Sequence, residues 1–202
     1  PALVDNTIYQ SNQNSYAGDS LTDSNILFVF NSHLNINTKI IREIANTEHF
    51  DYANIFLNDI SVNNIKKAGA SLIGPISHIV NIFSQTENNS FFTNNGLYNE
   101  NELLGNLHQT IQSETNYLIS VDLPSSITIC FIENGTADSE IISKNIEFMV
   151  KGLSRVLGYH NIICNGIISG KNTPYNIIFN SISFLCSKYG HLLAGETIHL
   201  RA

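Results

Sequence analysis

Short unbroken apolar runs alternate along this chain with longer stretches in which apolar residues return every three or four positions. Ile26, Leu27, Phe28, Val29 and Phe30 form the first run, with the length and continuity of a strand covered on both faces. Behind it Ile36, Ile40, Ile41 and Ile44 recur at helical spacing, with Asn35 or Asn37 as the cap. Residues 53–57 predict a second strand, 62–68 a short helix and 76–83 a third strand. Leu103, Leu104, Leu107, Ile111 and Leu118 put one apolar stripe on a helix over 99–120. A strand over 126–132, a turn over 135–139, a helix over 139–157, a strand over 161–168, a helix over 177–188 and a last strand over 197–200 complete the series.

Strand–helix–strand units of this size require right-handed crossovers. The predicted class is therefore α/β: one Rossmann-like, doubly wound parallel sheet with helices on both faces. Residues 1–25, rich in Asn, Ser, Gln and Asp, carry no apolar period and read as a polar arm ahead of a single domain over 26–202. Tyr9 and Tyr16 are the arm's available anchors should it dock.

Composition narrows the partners. The 202 residues carry a net charge of −7, which argues against nucleic acid or an anionic membrane surface. Only 13% of the chain is charged, so Asn, Ser and Thr supply much of the polar surface. No run reaches membrane-spanning length. Cys130, Cys164 and Cys186 sit in or beside apolar runs without a CxxC motif. They read as buried free thiols, with the cytoplasm as the expected compartment. The seven histidines show no metal-ligand spacing, and no metal is expected.

Three segments carry a resemblance. The helix over 139–157, the strand beyond it ending at Gly170, and the closing Leu193-Ala194-Gly195-Glu196-Thr197-Ile198-His199-Leu200 together resemble the last third of a short-chain dehydrogenase/reductase. The nearest likeness is to the 3-oxoacyl-carrier-protein reductases. The resemblance runs from Ile26 to Leu200 and implies the Rossmann-like fold above, with NAD(P) as the family's cofactor.

At each chemical position the chain departs from that family. Its three cofactor-loop glycines fall on Asn31, Asn35 and Asn37. Amide side chains there project where a diphosphate approaches bare backbone. Of the N-N-A-G motif only Asn81 remains, and Phe83 would crowd or fill the cofactor groove. Of the Tyr-x-x-x-Lys pair, Lys144 matches the lysine while Glu140 stands for the tyrosine. A carboxylate beside an ammonium is held ionised and is a poor acid toward a ketone, so Glu140 and Lys144 are expected to form a surface ion pair. The family serine falls near Ile132, with Thr136 and Ser139 the nearest hydroxyls. The family asparagine falls on Asn101 or Asn106. Between Gly170 and the next helix only Lys171-Asn172-Thr173-Pro174 remain, a connection too short to be a substrate lid.

No catalytic residue, bound cofactor or metal is therefore expected, and function moves to a surface. Ile142, Ile146, Met149, Val150, Leu153 and Leu157 make the 139–157 helix apolar over more than half its circumference. The resemblance implies that such a helix packs on a partner. The first expectation is a non-catalytic subunit that forms a homodimer, or pairs with an active paralogue that it stabilises or regulates. The alternatives are an NAD(P)-dependent 3-oxoacyl thioester reductase with non-standard site residues, and a small-anion-binding module at the helix start near 35–38.

Overall fold

The computed structural model describes residues 24–30, 38–56, 60–84 and 98–200. Six strands form one parallel sheet: β1 (Asn25–Phe30), β2 (Asp51–Phe56), β3 (His78–Ser84), β4 (Ser125–Ile132), β5 (Ile162–Ser169) and β6 (Thr197–Leu200). Their order across the sheet is β2-β1-β3-β4-β5-β6. The chain steps outward from β1 to β2, then returns to lay β3 on the other side of β1. That reversal is the topological switch point of a doubly wound sheet, where such folds place ligands beyond the carboxyl ends of the strands.

The helices are α1 (Thr38–Glu48), α2 (Val62–Gly69), α3 (Tyr98–Val121), α4 (Ala137–Leu157) and α5 (Tyr175–Cys186). Because successive strand side chains point to opposite faces, each strand feeds two cores. Leu27, Val29, Ile79, Phe83, Ile127, Ile129 and Phe131 face one layer, which α2, α3 and α4 cover. Ile26, Phe28, Phe30, Val80, Ile82 and Cys130 face the other, covered by α1 and α5. The strands are consequently apolar without alternation, as sequence led one to expect for a sheet buried on both sides.

Local chemistry sets the element ends. Ser61 accepts a hydrogen bond from the Asn64 N–H and caps α2. At α4 the Asn134 Oδ1 accepts from the backbone N–H and hydroxyl of Thr136. Gly135 turns with φ +82, and the Thr136 Oγ1 accepts from the Ser139 N–H. Asp138 and Glu140 in the first turn and Arg155 in the last complement the helix dipole. All expected strands and helices are present, with ends moved by at most a few residues. Asn25, read with the polar arm, is the first residue of β1 and pairs with Asp51. The rest of the arm that precedes Ser24 lies outside the described residues.

Candidate functional site

The carboxyl ends of β3, β4 and β5 bring together Ser84, Ile132 and Ser169. Beyond Ile132 the chain continues into Glu133, whose N–H donates to the Ser169 carbonyl at 2.8 Å. Asn134, Gly135 and Thr136 then start α4, and this capped turn fixes which stripe of the helix faces inward. Ser139, Ile142, Ser143, Ile146 and Val150 are buried. Glu140 and Lys144 lie one position further round and are exposed.

The expected ion pair between those two does not form. The Lys144 ammonium instead lies 2.9 Å from the Glu147 carboxylate, which also takes the His199 Nε2 at 3.1 Å. Glu147 joins α4 to β6 through the His199 contact, while Lys144 lies along the exposed side of its own helix. The inner stripe carries hydroxyls: the Ser143 Oγ is 2.5 Å from the Glu133 Oε1 and 2.8 Å from the Ser139 carbonyl. A hydroxyl at that distance from a carboxylate is a charge-assisted donor. Ser143 thereby ties α4 to the end of β4. At Ile132, the serine's expected place, the side chain packs partly buried on the α1/α5 core.

Asn81 lies in the middle of β3 and is fully buried. Its Nδ2 donates to the Glu114 Oε2 on α3 at 3.0 Å. Burial holds the Glu114 carboxyl up at about 8, against the opposing effect of the Asn81 hydrogen bond. Phe83, expected to crowd a cofactor groove, turns instead into the α3/α4 layer. There its ring lies 5.4 Å from that of Phe131. Asn31, Asn35 and Asn37, the anion site near 35–38, and the side chain of Asn101 lie outside the described residues. Asn106 is exposed on α3.

The interface expectation also needs correcting. Ile142, Ile146, Val150 and Leu157 are buried in the chain's own core, and Met149 and Leu153 pack at its margin. The apolar residues of α4 that face solvent are Ile141, Phe148 and Val156, at 49%, 75% and 62% exposure. A helix apolar over most of its circumference has two candidate inner faces, and periodicity alone does not choose between them.

Cys130, Cys164 and Cys186 are free and buried, and burial pushes the thiols of Cys130 and Cys186 up to about 12. Among the described residues no group of side chains is arranged to hold a metal ion. Likewise no described helix is long and apolar enough to cross a membrane.

No protein-family model matches the sequence, and no curated protein does either. Solved structures match the fold. A short-chain type dehydrogenase/reductase from Mycobacterium marinum superposes with a TM-score of 0.68 at 12% identity, over 90% of this chain and 94% of that one. The chain has the short-chain dehydrogenase/reductase fold. Acetoin dehydrogenase from Salmonella typhimurium aligns at a TM-score of 0.62 and 11% identity, over 89% of this chain and 94% of its own. A short chain dehydrogenase from Leptospira borgpetersenii with bound NAD+ gives 0.62 and 12%, over 92% and 93%.

On that fold, α4 does not carry the Tyr-x-x-x-Lys pair of the resemblance. A proton donor of the Tyr-x-x-x-Lys kind needs a phenol with an ammonium one turn away. Here neither stripe of α4 offers a phenol at that position, and the ammonium is engaged by Glu147. The inward residues that sequence reasoning missed are Glu133, Ser143 and Glu114. Glu114 left a visible signal: it stands within the stripe Leu107, Ile111, Leu118 at helical spacing.

Proposed function

We propose that this chain is a catalytically silent short-chain dehydrogenase-like subunit that acts by association. It forms a homodimer or pairs with an active paralogue that it stabilises or regulates. The observation that carries the reading is the turn of α4. Its inner stripe presents Ser139 and Ser143 to the strand ends, while Glu140 and Lys144 face outward. Among the described residues, that arrangement offers no phenol beside an ammonium for proton transfer to a ketone. The short connection from Gly170 to the start of α5 supports the same reading, since it cannot close over a substrate.

The contact surface in this proposal is the outer stripe of α4. Ile141 and Phe148 lie two turns apart with Val156 beyond them, and bulky apolar residues spaced along one helix face form a patch that a second chain covers. The decisive measurement is the native mass and composition of the assembly purified from its own cell. A homodimer, or a complex with a full-length reductase, is expected. Phe148→Glu should convert it to a monomer that keeps the wild-type secondary structure by circular dichroism and melts lower only by the association it has lost. A stable wild-type monomer overturns the proposal.

A second reading, an NAD(P)-dependent oxidoreductase, draws on the fold shared with the Leptospira structure that holds NAD+. Titration with NADPH and NADH separates the two. Tight binding of either would favour the enzyme, and the silent subunit is expected to give no saturable signal.

A further inference from the structure

Glu114 and Asn81 are both fully buried, on α3 and β3 respectively. They share one hydrogen bond, Nδ2 to Oε2 at 3.0 Å. Each also keeps one oxygen without a partner: Oε1 of the acid and Oδ1 of the amide. An ionised carboxylate accepts only. In that state Glu114 would hold a buried charge with a single neutral donor, and both spare oxygens would stay unsatisfied, a costly arrangement in a dry interior. A protonated acid has one O–H to give, and the Asn81 Oδ1 is the unpartnered acceptor within the same pair.

Among the described residues, the surroundings offer no charge that would reverse this balance. Around the pair, Ile79 and Phe83 on β3, Leu107, Ile111 and Leu118 on α3, and Ile129 on β4 belong to one buried apolar cluster. From β5 the titratable neighbour is the Cys164 thiol, whose ionisation Glu114 opposes. From α3 itself, the Tyr117 oxygen is engaged, accepting from the Ile76 N–H at 3.2 Å. On α4 the inward side chains are Ile142, Ile146 and Val150, with the Ser143 hydroxyl bonded elsewhere. Lys66 and Lys67 on α2 are exposed. Among the described residues no cation pairs with Glu114.

We propose that Glu114 is held as a neutral acid in a reciprocal acid–amide pair with Asn81, and that this pair is a proton-dependent clamp fastening α3 to the sheet. Both hydrogen bonds persist while the proton stays. Once it leaves, the Oε1–H···Oδ1 bond is lost, a charge is stranded in the core, and α3 loosens from β3.

The side-chain carboxyl carbon of Glu114, followed by NMR through a pH titration of the intact protein, should titrate near 8 rather than at the ordinary carboxylate value. A midpoint at or below that ordinary value overturns the proposal, whatever the variants do. Glu114→Gln keeps a reciprocal pair, amide to amide, and removes the proton. The wild-type folding equilibrium should therefore weaken relative to this variant by up to tenfold per pH unit as pH rises toward 8. Parallel stability curves for wild type and variant from pH 5 to 9 would sink the clamp. Should Glu114→Gln fail to fold, the wild-type titration still decides.

Discussion

The two cores of this sheet are built differently. The layer under α2, α3 and α4 sets the acid–amide pair Glu114 and Asn81 inside an apolar cluster, with the buried hydroxyls of Ser139 and Ser143 on its α4 side. The layer under α1 and α5 joins an aromatic cluster to a polar patch. There the Phe28 ring lies about 6 Å from Phe30, Tyr52 and Phe179. At the amino end of β3 the His78 Nδ1 meets the Ser126 Oγ at 2.8 Å, and midway along β5 the Asn165 Nδ2 donates to the Gly190 carbonyl. One face buries a titratable group as its neutral acid, the other as its neutral base. Burial disfavours whichever form carries charge, so the two faces respond to pH with opposite signs.

The largest test is of packing. Phe131→Ala and Phe28→Ala should each cost about 3–5 kcal/mol by chemical denaturation. Phe28 should lie at the upper end, because among the described residues three rings surround it and one, Phe83, lies close to Phe131. The reverse ranking would contradict the contrast between the layers.

Next comes the pH limb of the α5 face. Burial, with a smaller effect from the nearby His191, lowers His78 from 6.5 to about 4. The unfolded chain therefore binds the extra proton between those values, and stability falls as pH drops from 6.5 toward 4. The loss totals roughly 3 kcal/mol at about 1.36 kcal/mol per unit. Glu114 gives the opposite limb, since its raised value makes stability fall as pH climbs from 4.5 toward 8. Between 4.5 and 6.5 the two slopes oppose each other. His78→Asn should remove the acid limb and leave the alkaline one, measured as stability against pH. A variant retaining the wild-type acid limb would show that His78 does not supply it.

The smallest effect belongs to the surface. Lys144→Ala should change stability by under about 0.5 kcal/mol, because the pair with Glu147 is largely exposed on the lysine side and Glu147 keeps His199. A loss of several kcal/mol on thermal melting would mean that Lys144 is more than a surface ion-pair partner.

Much of this was legible in the residues. Unbroken apolar runs and period-3.6 stripes located the described strands and α-helices, because a doubly buried parallel strand and a one-sided helix leave distinct spacings. The free thiols were readable as buried for the same reason. The site was harder. Glu140 and Lys144 looked like partners because they stand one turn apart, yet spacing along a helix does not reveal which way that pair faces. The assignment of α4's apolar residues to a subunit contact failed on the same point. Glu114 could have been found, since a carboxylate inside an apolar stripe is an anomaly in any helix.

By itself the chain determined the alternation of strands and helices, and with it the three-layer doubly wound class, since burial on two faces is written into each strand's composition. Only the tertiary structure decided the rotation of α4, the partner of Lys144, and the meeting of Asn81 with Glu114. Those depend on a capped turn after β4 and on the register of elements far apart in sequence. Such register is set when two layers pack together, and no local pattern encodes it.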